Sequence, residues 1–527
     1  MDRNKILILF DTVKYLKPVQ IYYRIFYYLR NRFSYQIKFT NFIISKIKLS
    51  WVDFILFENS YLNNNEFVFL NKLKVFDKSV DWNYSNNGKL WTYNLNYFDF
   101  LIQKNINIEN LLSLINDYVD QDHYLKEGKE PYVISLRGIN WIKFLSKNQI
   151  DDVKINNALY NHYQILIKNL EYHILGNHLL ENGFSLLFGA YYFEDIIFYE
   201  VSKKIIEKEL EEQILDDGAH FELSPMYHQI MLFRVLDAIQ LIQLNNWQSD
   251  QLVSTLKRKA QIMISWLVKI SFKNGDIPMV NDCASGIAPS SNELILYANL
   301  LNISPSEIKL SKSGYRVFEK ENYELFVDVG NIFPSYQPGH AHSDTFNFIL
   351  YVSGRPVIVD TGTSTYEKNE RRQQERGTSS HNTVVVNNSN QSQVWGGFRV
   401  AKRAMVFELI EKEDYVEASH DGYKCDGIIH TRSFKVQEKN IVINDFFSVK
   451  KPKNSVAYFH FHPEIYNFEI AGNAVLLKNE NVKIVFFANQ LSIWKEEYDF
   501  SVGFNQTRKA IKLKIFFKST LETIIST

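Results

Sequence analysis

The chain has 527 residues, which is too long for one ordinary hydrophobic core, so two or more domains are expected. Hydrophobic residues make up 46% of the sequence and charged residues 22%, a composition typical of folded proteins that excludes a largely disordered chain. Basic and acidic residues number 59 each, so the chain lacks the excess positive charge of a typical nucleic-acid-binding protein, and no nucleic-acid partner is predicted.

The N-terminal stretch combines basic and aromatic side chains at helical spacing. Its apolar run, residues 6–10, is ended by Asp11 and is too short for a signal-peptide core. This predicts a cytoplasmic protein, with a periplasmic or envelope-associated one as the alternative. The basic residues of the stretch fit either a helix packed on the rest of the protein or peripheral contact with a membrane surface; they are Lys14, Lys17, Arg24, Arg30 and Arg32.

Long helices are predicted between about residues 100 and 310. Apolar residues recur there at spacings of three and four, which is the pattern of a helix with one buried face. The clearest segments are 157–175, 185–214, 227–246 and 252–271. Helices of similar length in succession favour an all-α array of paired hairpins.

After about residue 312 the sequence changes to short runs rich in β-branched and aromatic residues, separated by Gly and Asn turns. This pattern predicts an antiparallel sandwich or barrel. The predicted division is an N-terminal helical extension (1–89), a helical domain (90–311) and a β domain (312–527). Two cysteines, Cys283 and Cys425, are too few for a disulfide framework and are predicted to be buried thiols.

Polar residues in "YQPGHAHSDTFNFIL" (336–350) stand at the start of an apolar run. If a strand begins near Ala341, then His340, His342 and Asp344 share one of its faces. His342 together with Asp360 and His381, which flank later strands, provides two imidazoles and a carboxylate. This set suits Zn²⁺ with a position left for water, although each residue could also be a hydrogen-bonded polar group at a strand end.

The helical half has polar groups at two helix starts. "GNHLLENG" places Asn177, His178 and Glu181 close together, the last two on one helical face. Further on, Ser224 and Pro225 form an N-cap and first-turn signal, which puts Tyr227 and His228 in the first turn of a helix. Developing negative charge is stabilised at that position, which makes His228 a predicted substrate-binding residue, but buried core residues are the alternative for Tyr227 and His228.

Two earlier stretches combine cationic, amide and aromatic side chains. "PYVISLRGINWI" carries Arg137, Asn140 and Trp141, and "LWTYNLNYFDFL" carries Tyr93 and Asn94. Such mixtures bind acidic sugars, because they supply charge for a carboxylate, donors for hydroxyls and ring faces for stacking. Ordinary packing between helices is the competing interpretation.

Five motifs, in the same order, resemble the heparinase II/III family of polysaccharide lyases, and the resemblance extends from about residue 90 to 450. They are "GNHLLENG", "DGAHFELSPMYH", "YQPGHAHSDTFNF", "VIVDTGT" and "SSHNTVVVN" followed by "QSQVWGGFRV". The resemblance implies an incomplete (α/α) toroid followed by an antiparallel β-sandwich. It also implies β-elimination of a uronic-acid-containing polysaccharide in a cleft between the two domains.

The resemblance further implies roles for individual residues. Asn177 or His178 would neutralise the substrate carboxylate, Tyr227 would be the catalytic phenol and His340 the catalytic imidazole. Glu181 would lie close to the cleft. His342, Asp360 and His381 would hold a metal with a structural role, and Asp344 would hydrogen-bond beside it.

Two other functions remain open at this point. A carbohydrate-binding or surface-polysaccharide assembly protein would keep the fold without turnover. A metal-dependent hydrolase would instead use the predicted zinc to activate water. The missing signal peptide suggests a polymer of the cell's own surface as the acidic polysaccharide partner, and no oligomeric state is predicted.

Overall fold

The computed structural model describes residues 3–33, 49–105, 107–248, 251–448 and 452–527. Its longer helices precede most of its strands, as the two sequence patterns predict. The helices are α1 Arg3–Val13, α2 Pro18–Arg32, α3 Lys89–Tyr97, α4 Ile108–Gln121, α5 Pro131–Lys147, α6 Val153–Lys168, α7 Gly176–Phe193, α8 Ile196–Gln213, α9 Pro225–Leu244, α10 Leu252–Ile270, α11 Ser291–Leu300 and α12 Glu370–Glu375.

The strands lie mainly after Leu300. They are β1 Glu66–Phe69, β2 Lys72–Val75, β3 Tyr315–Glu319, β4 Tyr323–Asp328, β5 Phe348–Val352, β6 Arg355–Ile358, β7 Val384–Val386, β8 Val394–Trp395, β9 Arg399–Val400, β10 Val406–Lys412, β11 Tyr415–His420, β12 Ile429–Val436, β13 Asn440–Ser448, β14 Ser455–His460, β15 Phe468–Ala471, β16 Ala474–Leu477, β17 Val482–Ala488, β18 Ser492–Gly503, β19 Gln506–Phe517 and β20 Thr520–Ser526.

The helical domain is built from neighbouring helices that pack along their apolar faces. Contacts are extensive between α5 and α7, between α7 and α8 and between α9 and α10. The segment 185–214, predicted as helical throughout, is divided between α7 and α8. Glu194 adopts a left-handed conformation, and the Asp195 side chain then caps α8 by accepting from the amides of Ile197 and Phe198.

The N-terminal extension is only partly helical. It contains α1 and α2, but residues 66–75 form the β1–β2 hairpin, so the helical prediction is wrong for that part. Leu70 and Asn71, the two residues between the strands, both have positive φ, as a tight hairpin turn requires. Residues 34–48 of the predicted extension lie outside the described residues.

Helix α2 packs on the helical domain through its polar side chains. The Gln20 amide donates to the Ile174 carbonyl at 3.0 Å and Arg30 donates to the Lys168 carbonyl at 2.6 Å. Lys17 forms an ion pair with Glu212. These contacts confirm the packed alternative for the basic residues, whereas contact with a membrane stays a prediction. Among the described helices, none is long and apolar enough to cross a bilayer.

The C-terminal domain consists of antiparallel sheets packed face to face. One sheet has the strand order β10-β11-β12-β13-β20-β17-β16-β15, and others have the orders β18-β19-β14-β7 and β3-β4-β5-β6. Phe348, Phe434, Phe459 and Phe486 interlock between the sheets at ring-centroid distances of 5.3 to 5.9 Å. The domain is therefore an antiparallel β-sandwich.

A separate apolar cluster joins the two domains. Trp266 and Ile270 of α10 pack in it with Tyr315 and Phe326 of the sandwich. The ring of Phe272, just after α10, stacks on Tyr351 of β5 at 3.8 Å. The joint fixes one domain against the other and thereby sets the walls of the cleft between them.

The two cysteines have different environments. Cys283 is fully buried, and its Sγ accepts a hydrogen bond from the Met226 amide at 3.2 Å. Cys425 is exposed, so the prediction of a buried thiol is wrong for this residue. It lies in a single turn of 3-10 helix, Lys424–Asp426, where no apolar segment covers it.

Candidate active site

A cleft of about 1250 Å³ lies between the helical domain and the sandwich. Loops from the sandwich and the first turns of helices meet in it. Its lining includes these residues predicted from the sequence: Tyr93, Asn94, Asn177, His178, Tyr227 and His340. Residues 200 or more positions apart in the chain are thus brought to one place by the packing of the domains.

Residues 336–347 form a loop, and β5 begins only at Phe348, so the predicted strand near Ala341 is wrong. The loop is held by the segment that follows α10. The Asp282 amide donates to the His340 carbonyl, and the His342 amide donates to Asn281 Oδ1. As a result, His340 and His342 approach the Asp282 carboxylate by different oxygens and do not share a strand face.

His340 and Tyr227 are in direct contact in the cleft. Their rings stack with centroids 3.9 Å apart and planes inclined by 29°. The Tyr227 hydroxyl lies 3.3 Å from the hydroxyl of Tyr366, and burial raises the pKa of Tyr227 well above its ordinary value. Tyr227 is therefore a neutral phenol at neutral pH, placed beside an imidazole.

The predicted start of α9 explains the position of Tyr227. Ser224 is the N-cap, and its Oγ accepts from the Tyr227 amide, while Pro225 occupies the first turn. The same Oγ donates to the Asp282 carbonyl at 2.8 Å. The cap thus fixes the first turn of α9 to the loop that carries Asp282.

Asp282 is a fully buried carboxylate that joins several functional side chains. His340 Nδ1 lies 2.9 Å from its Oδ2, His342 Nε2 lies 2.9 Å from its Oδ1, and Arg372 donates to both oxygens. Burial alone would raise its pKa, but Arg372 and the two imidazoles hold it well below the ordinary value. Asp282 orients His340 so that Nε2 faces the cleft.

Asn177 stands at the start of α7 beside a second buried acid, Glu222. The Asn177 side-chain amide donates to Glu222 Oε2 at 3.0 Å, and its backbone amide approaches Oε1 at 3.3 Å. His340 Nε2 lies 3.6 Å from Glu222 Oε2. Burial raises the pKa of Glu222. Gly176 has a positive φ of +61°, and a Cβ there would lie 2.9 Å from Glu222 and 2.2 Å from Gln337. The close approach of Glu222 to the start of α7 therefore requires glycine at this position.

His178 lines the cleft next to Asn177. Its Nδ1 lies 3.0 Å from Glu171 Oε1, and its ring packs against Tyr132 at 4.5 Å. Burial is the largest influence and lowers the pKa of His178, but the carboxylates of Glu171, Glu222 and Glu181 together outweigh it and the net pKa is raised. His178 is thus favoured in its cationic form, suited to a substrate carboxylate.

Four predicted substrate-binding residues lie away from the cleft, buried in the helical domain. Arg137 donates to the Gly128 carbonyl, Asn140 donates to the Tyr97 carbonyl, and the Trp141 ring packs on Phe98. His228 uses both ring nitrogens inside the domain, with the His220 amide and the Met263 carbonyl. For Arg137, Asn140, Trp141 and His228, the alternative of structural packing therefore replaces the binding prediction.

Glu181 lies one layer behind the cleft. It is fully buried, and its Oε1 accepts from Arg234 Nε at 2.6 Å. Arg234 itself lines the cleft. Glu181 consequently acts on any ligand through Arg234, which the sequence motifs did not single out.

The three predicted metal ligands lie near one another. Two of them are hydrogen-bonded to each other, however, and the three do not point at one common position. His381 Nδ1 is 2.7 Å from Asp360 Oδ2, and the His342 and His381 rings are 5.3 Å apart. Buried His342 Nδ1 and His381 Nε2 lack hydrogen-bond partners, as does Asp344 Oδ2, for which a bond was predicted. Within the described ranges, no three His, Cys, Asp or Glu side chains are arranged to hold a metal ion.

Three side chains that contact the candidate site residues were missed from the sequence: Tyr366, which lines the cleft, and Glu222 and Asp282, which are buried behind it. Glu222 lies inside the motif that contains Tyr227, so its position two residues before the Ser224 cap was an available signal. Asp282 and Tyr366 stand in segments without periodicity, and only the folded chain brings them to His340 and Tyr227.

Comparison with known proteins supports the predicted family and fold. The family model described as "Heparinase II/III N-terminus" matches residues 134–310, and "Heparinase II/III-like, C-terminal" matches residues 303–525. The heparin-sulfate lyase of Bacteroides stercoris is 24% identical over 257 residues, which cover 42% of this chain and 37% of that protein. The chain thus matches about two-fifths of the length of this curated relative.

Solved structures extend the likeness over nearly the whole chain. Heparinase III gives a TM-score of 0.64 at 16% identity and covers 96% of this chain and 91% of that one. Heparan sulfate lyase from Pedobacter heparinus gives 0.58 at 16% identity, covering 88% and 81%. These likenesses confirm the fold, a helical toroid followed by an antiparallel sandwich. With both family models matched in order, the chain belongs to the heparinase II/III family.

Proposed function

We propose that this protein is a polysaccharide lyase that cleaves a uronic-acid-containing polysaccharide by β-elimination. The observation that carries the proposal is the stacked pair of His340 and Tyr227, with Asn177 and His178 lining the same cleft. A protein that only binds sugar has no need for an imidazole and a neutral phenol in contact.

The reaction begins with a proton of low acidity, the one on C5 of the uronic acid. Its removal places negative charge on the adjacent carboxylate group, so that charge must be neutralised as it develops. Asn177 offers amide donors at the start of α7, held in place by Glu222. His178 offers a positive charge that Glu171 stabilises.

His340 is the group suited to accept the C5 proton. With Nδ1 hydrogen-bonded to Asp282, the second nitrogen, Nε2, is left as the acceptor toward the cleft. The Asp282 carboxylate also stabilises the imidazolium that forms when the proton arrives. Asp282 is therefore a positioning residue for His340.

Tyr227 is the group suited to complete the elimination. As the C4–O4 bond breaks and the C4–C5 double bond forms, the departing O4 needs a proton, which a neutral phenol donates. Burial keeps Tyr227 protonated, which fits this acid role. General acid–base help of this kind contributes about 10²–10⁴-fold, and positioning and electrostatics must supply the rest.

The test is a panel of acidic polysaccharides followed by ultraviolet absorbance of the conjugated C4–C5 double bond. Because relatives of this chain are heparin-sulfate lyases, heparan sulfate is the first substrate, beside unsulfated uronic-acid polymers and the producing cell's own surface polysaccharide. We expect absorbance to rise with one of them. Tyr227→Phe and His340→Ala should each lower the rate by about 10²-fold or more, whereas Tyr466→Phe, on an exposed ring, should not.

Other outcomes of the same assay identify the competing functions. New reducing ends without the absorbance would indicate a hydrolase and contradict the lyase proposal. Saturable binding of a polymer without any turnover would indicate a carbohydrate-binding or assembly protein.

We further propose that His342, Asp360 and His381 hold a structural zinc ion, which would brace the sandwich wall of the cleft. Two imidazoles and a carboxylate are zinc donors, and the unpartnered His342 Nδ1 and His381 Nε2 support this assignment. The hydrogen bond between His381 and Asp360 would have to open for all three side chains to bind one ion. We expect about one zinc per chain by elemental analysis. Chelation should lower the melting temperature without changing kcat of the folded protein. Loss of kcat at unchanged stability would contradict a structural role.

A further inference from the structure

Helices α1 and α2 form one wall of the cleft and contact both domains. On the helical side, the Tyr27 hydroxyl donates to the Leu170 carbonyl at 2.6 Å and Gln20 donates to the Ile174 carbonyl. On the sandwich side, Trp395 Nε1 donates to Thr12 Oγ1 at 3.1 Å. Thr12 and Gln20 line the same cleft as His340. The helix pair therefore spans the cleft from one domain to the other.

This wall belongs to the chain's own N-terminal extension. The family models match residues 134–310 and 303–525, so α1 and α2 precede the matched region. What these helices add to the cleft therefore comes from outside the region that the family models match.

Three arginines line the cleft where the helix pair meets the sandwich: Arg24, Arg399 and Arg403. Arg403 is only 8% exposed, its guanidinium lies over the Tyr15 ring at 3.8 Å, and its Nε has no hydrogen-bond partner. Arg399 lies over the Trp395 ring at 4.7 Å, and Arg24 donates to the His173 carbonyl. The arginines line the same cleft as His340, and the ring of Phe398, the residue before Arg399, is 6.1 Å from the His340 ring.

Arg403 is buried, whereas Arg24 and Arg399 are exposed, and Arg403 lacks the carboxylate partner that other buried arginines have. Arg234 and Arg372 each bond a buried carboxylate. For the described residues, the charges that act on Arg24 and Arg403 include no carboxylate: burial lowers the pKa of both, and Arg399 lowers that of Arg24 further. Burying the Arg403 guanidinium without a counter-charge costs free energy that an anionic ligand would recover.

We propose that Arg24, Arg399 and Arg403 bind a carboxylate or sulfate group on the last sugar held in the cleft, and that α1 and α2 close the cleft behind it. Arginine suits both groups, because its planar donors bind two oxygens at once. A closed end admits the terminus of a polymer but not its middle. This inference rests on the proposed lyase function and adds to it that the protein acts at chain ends.

Binding is tested first, with Tyr227→Phe as the background so that the sugar survives the measurement. The probes are a sulfated heparan sulfate tetrasaccharide and an unsulfated tetrasaccharide of the same uronic acid and amino sugar, measured by titration calorimetry. Arg399→Gln and Arg403→Gln should each weaken binding about tenfold, the loss expected for one charge-assisted hydrogen bond. If the variants bind both tetrasaccharides more weakly, the arginines bind the carboxylate. If they bind only the sulfated tetrasaccharide more weakly, the arginines bind the sulfate.

Two variants serve as controls. Arg258→Gln removes an exposed charge on α10, outside the cleft, and should leave affinity unchanged. Arg403→Lys keeps a charge in the buried position and separates loss of binding from loss of folding, which a thermal melt also monitors. An affinity unchanged within about twofold in Arg399→Gln, or equal loss in Arg258→Gln, would overturn the anion site.

The closed end is tested by product size in the first few per cent of turnover by the wild-type protein. If the protein cleaves at chain ends, one short unsaturated product should form from the beginning of the reaction. The average length of the remaining polymer should then fall slowly. A broad ladder of intermediate lengths would overturn the closed end. If no unsaturated product forms while Tyr227→Phe still shows arginine-dependent binding, the lyase proposal fails and the anion site stands.

Discussion

Asp282 is the residue on which most of the candidate site converges. It is fully buried and pairs with Arg372, His340 and His342. Removing one partner from a buried charge network leaves the others uncompensated, at a cost of about 3–5 kcal/mol. We therefore expect Asp282→Asn to lower the free energy of unfolding by about 3 kcal/mol in urea titrations, and kcat to fall with it.

The pH dependence of this effect has a definite sign. Folding lowers the pKa of Asp282, so its contribution to stability is present above about pH 4 and is lost as pH falls below that value. The stability difference between wild type and Asp282→Asn should accordingly shrink in acid. Asp499→Asn, which breaks an exposed pair with Lys509, is the control and should change stability by at most about 1 kcal/mol. An equal loss of unfolding free energy in Asp282→Asn and Asp499→Asn would contradict a stabilising role for the buried network around Asp282.

Single residues of the site were predictable where a local pattern marked them. Ser224 and Pro225 predicted the start of a helix, and this prediction placed Tyr227 in the first turn of α9. Asp282 carries no such mark, because an acidic residue in a short loop looks the same whether it is solvated or buried. Arg137 and Asn140 show the reverse error, since polar side chains that satisfy helix carbonyls resemble ligand-binding groups in sequence.

At the scale of elements, the start of α9 couples stability to catalysis. Ser224→Ala removes the N-cap and its hydrogen bond to the Asp282 carbonyl, and an N-cap contributes about 1 kcal/mol. We expect a similar loss of unfolding free energy together with a lower kcat, because the first turn that carries Tyr227 is released. Thermal melts and initial rates on the active polysaccharide measure the two effects.

The N-cap of α11 provides a matched control. Ser290 caps that helix in a capping box with Glu293, on the exposed surface. Ser290→Ala should cost stability to a similar extent and leave kcat unchanged. If Ser224→Ala also leaves kcat unchanged, the cap has no role in positioning Tyr227.

Helices were better predicted than the loops that hold the site. Helical periodicity identified α9 and α10, since each buries a continuous apolar face. The break at Glu194 and the loop before β5 depend on single-residue conformations and long-range hydrogen bonds, such as that from the Asp282 amide to the His340 carbonyl. Periodicity contains no information about either.

At the scale of the whole molecule, the two domains are joined by a buried apolar cluster as well as by polar contacts. Trp266, Phe272, Tyr315 and Tyr351 pack across the joint, and Arg372 reaches Asp282 from the sandwich. We expect one cooperative heat-absorption peak in scanning calorimetry, because unfolding of either domain exposes the apolar cluster that both share. Two resolved peaks in wild type would show that the domains unfold independently.

The contrast between the two cysteines makes the chain suited to site-specific labelling. Cys283 Sγ is enclosed at the start of α9, and burial raises its pKa to about 12, so it is neither reachable nor reactive in the folded protein. Cys425 is exposed, with Lys402 Nζ 3.8 Å from its sulfur. A thiol-reactive fluorophore would therefore attach at Cys425 alone, next to Lys402 in the segment that follows β9.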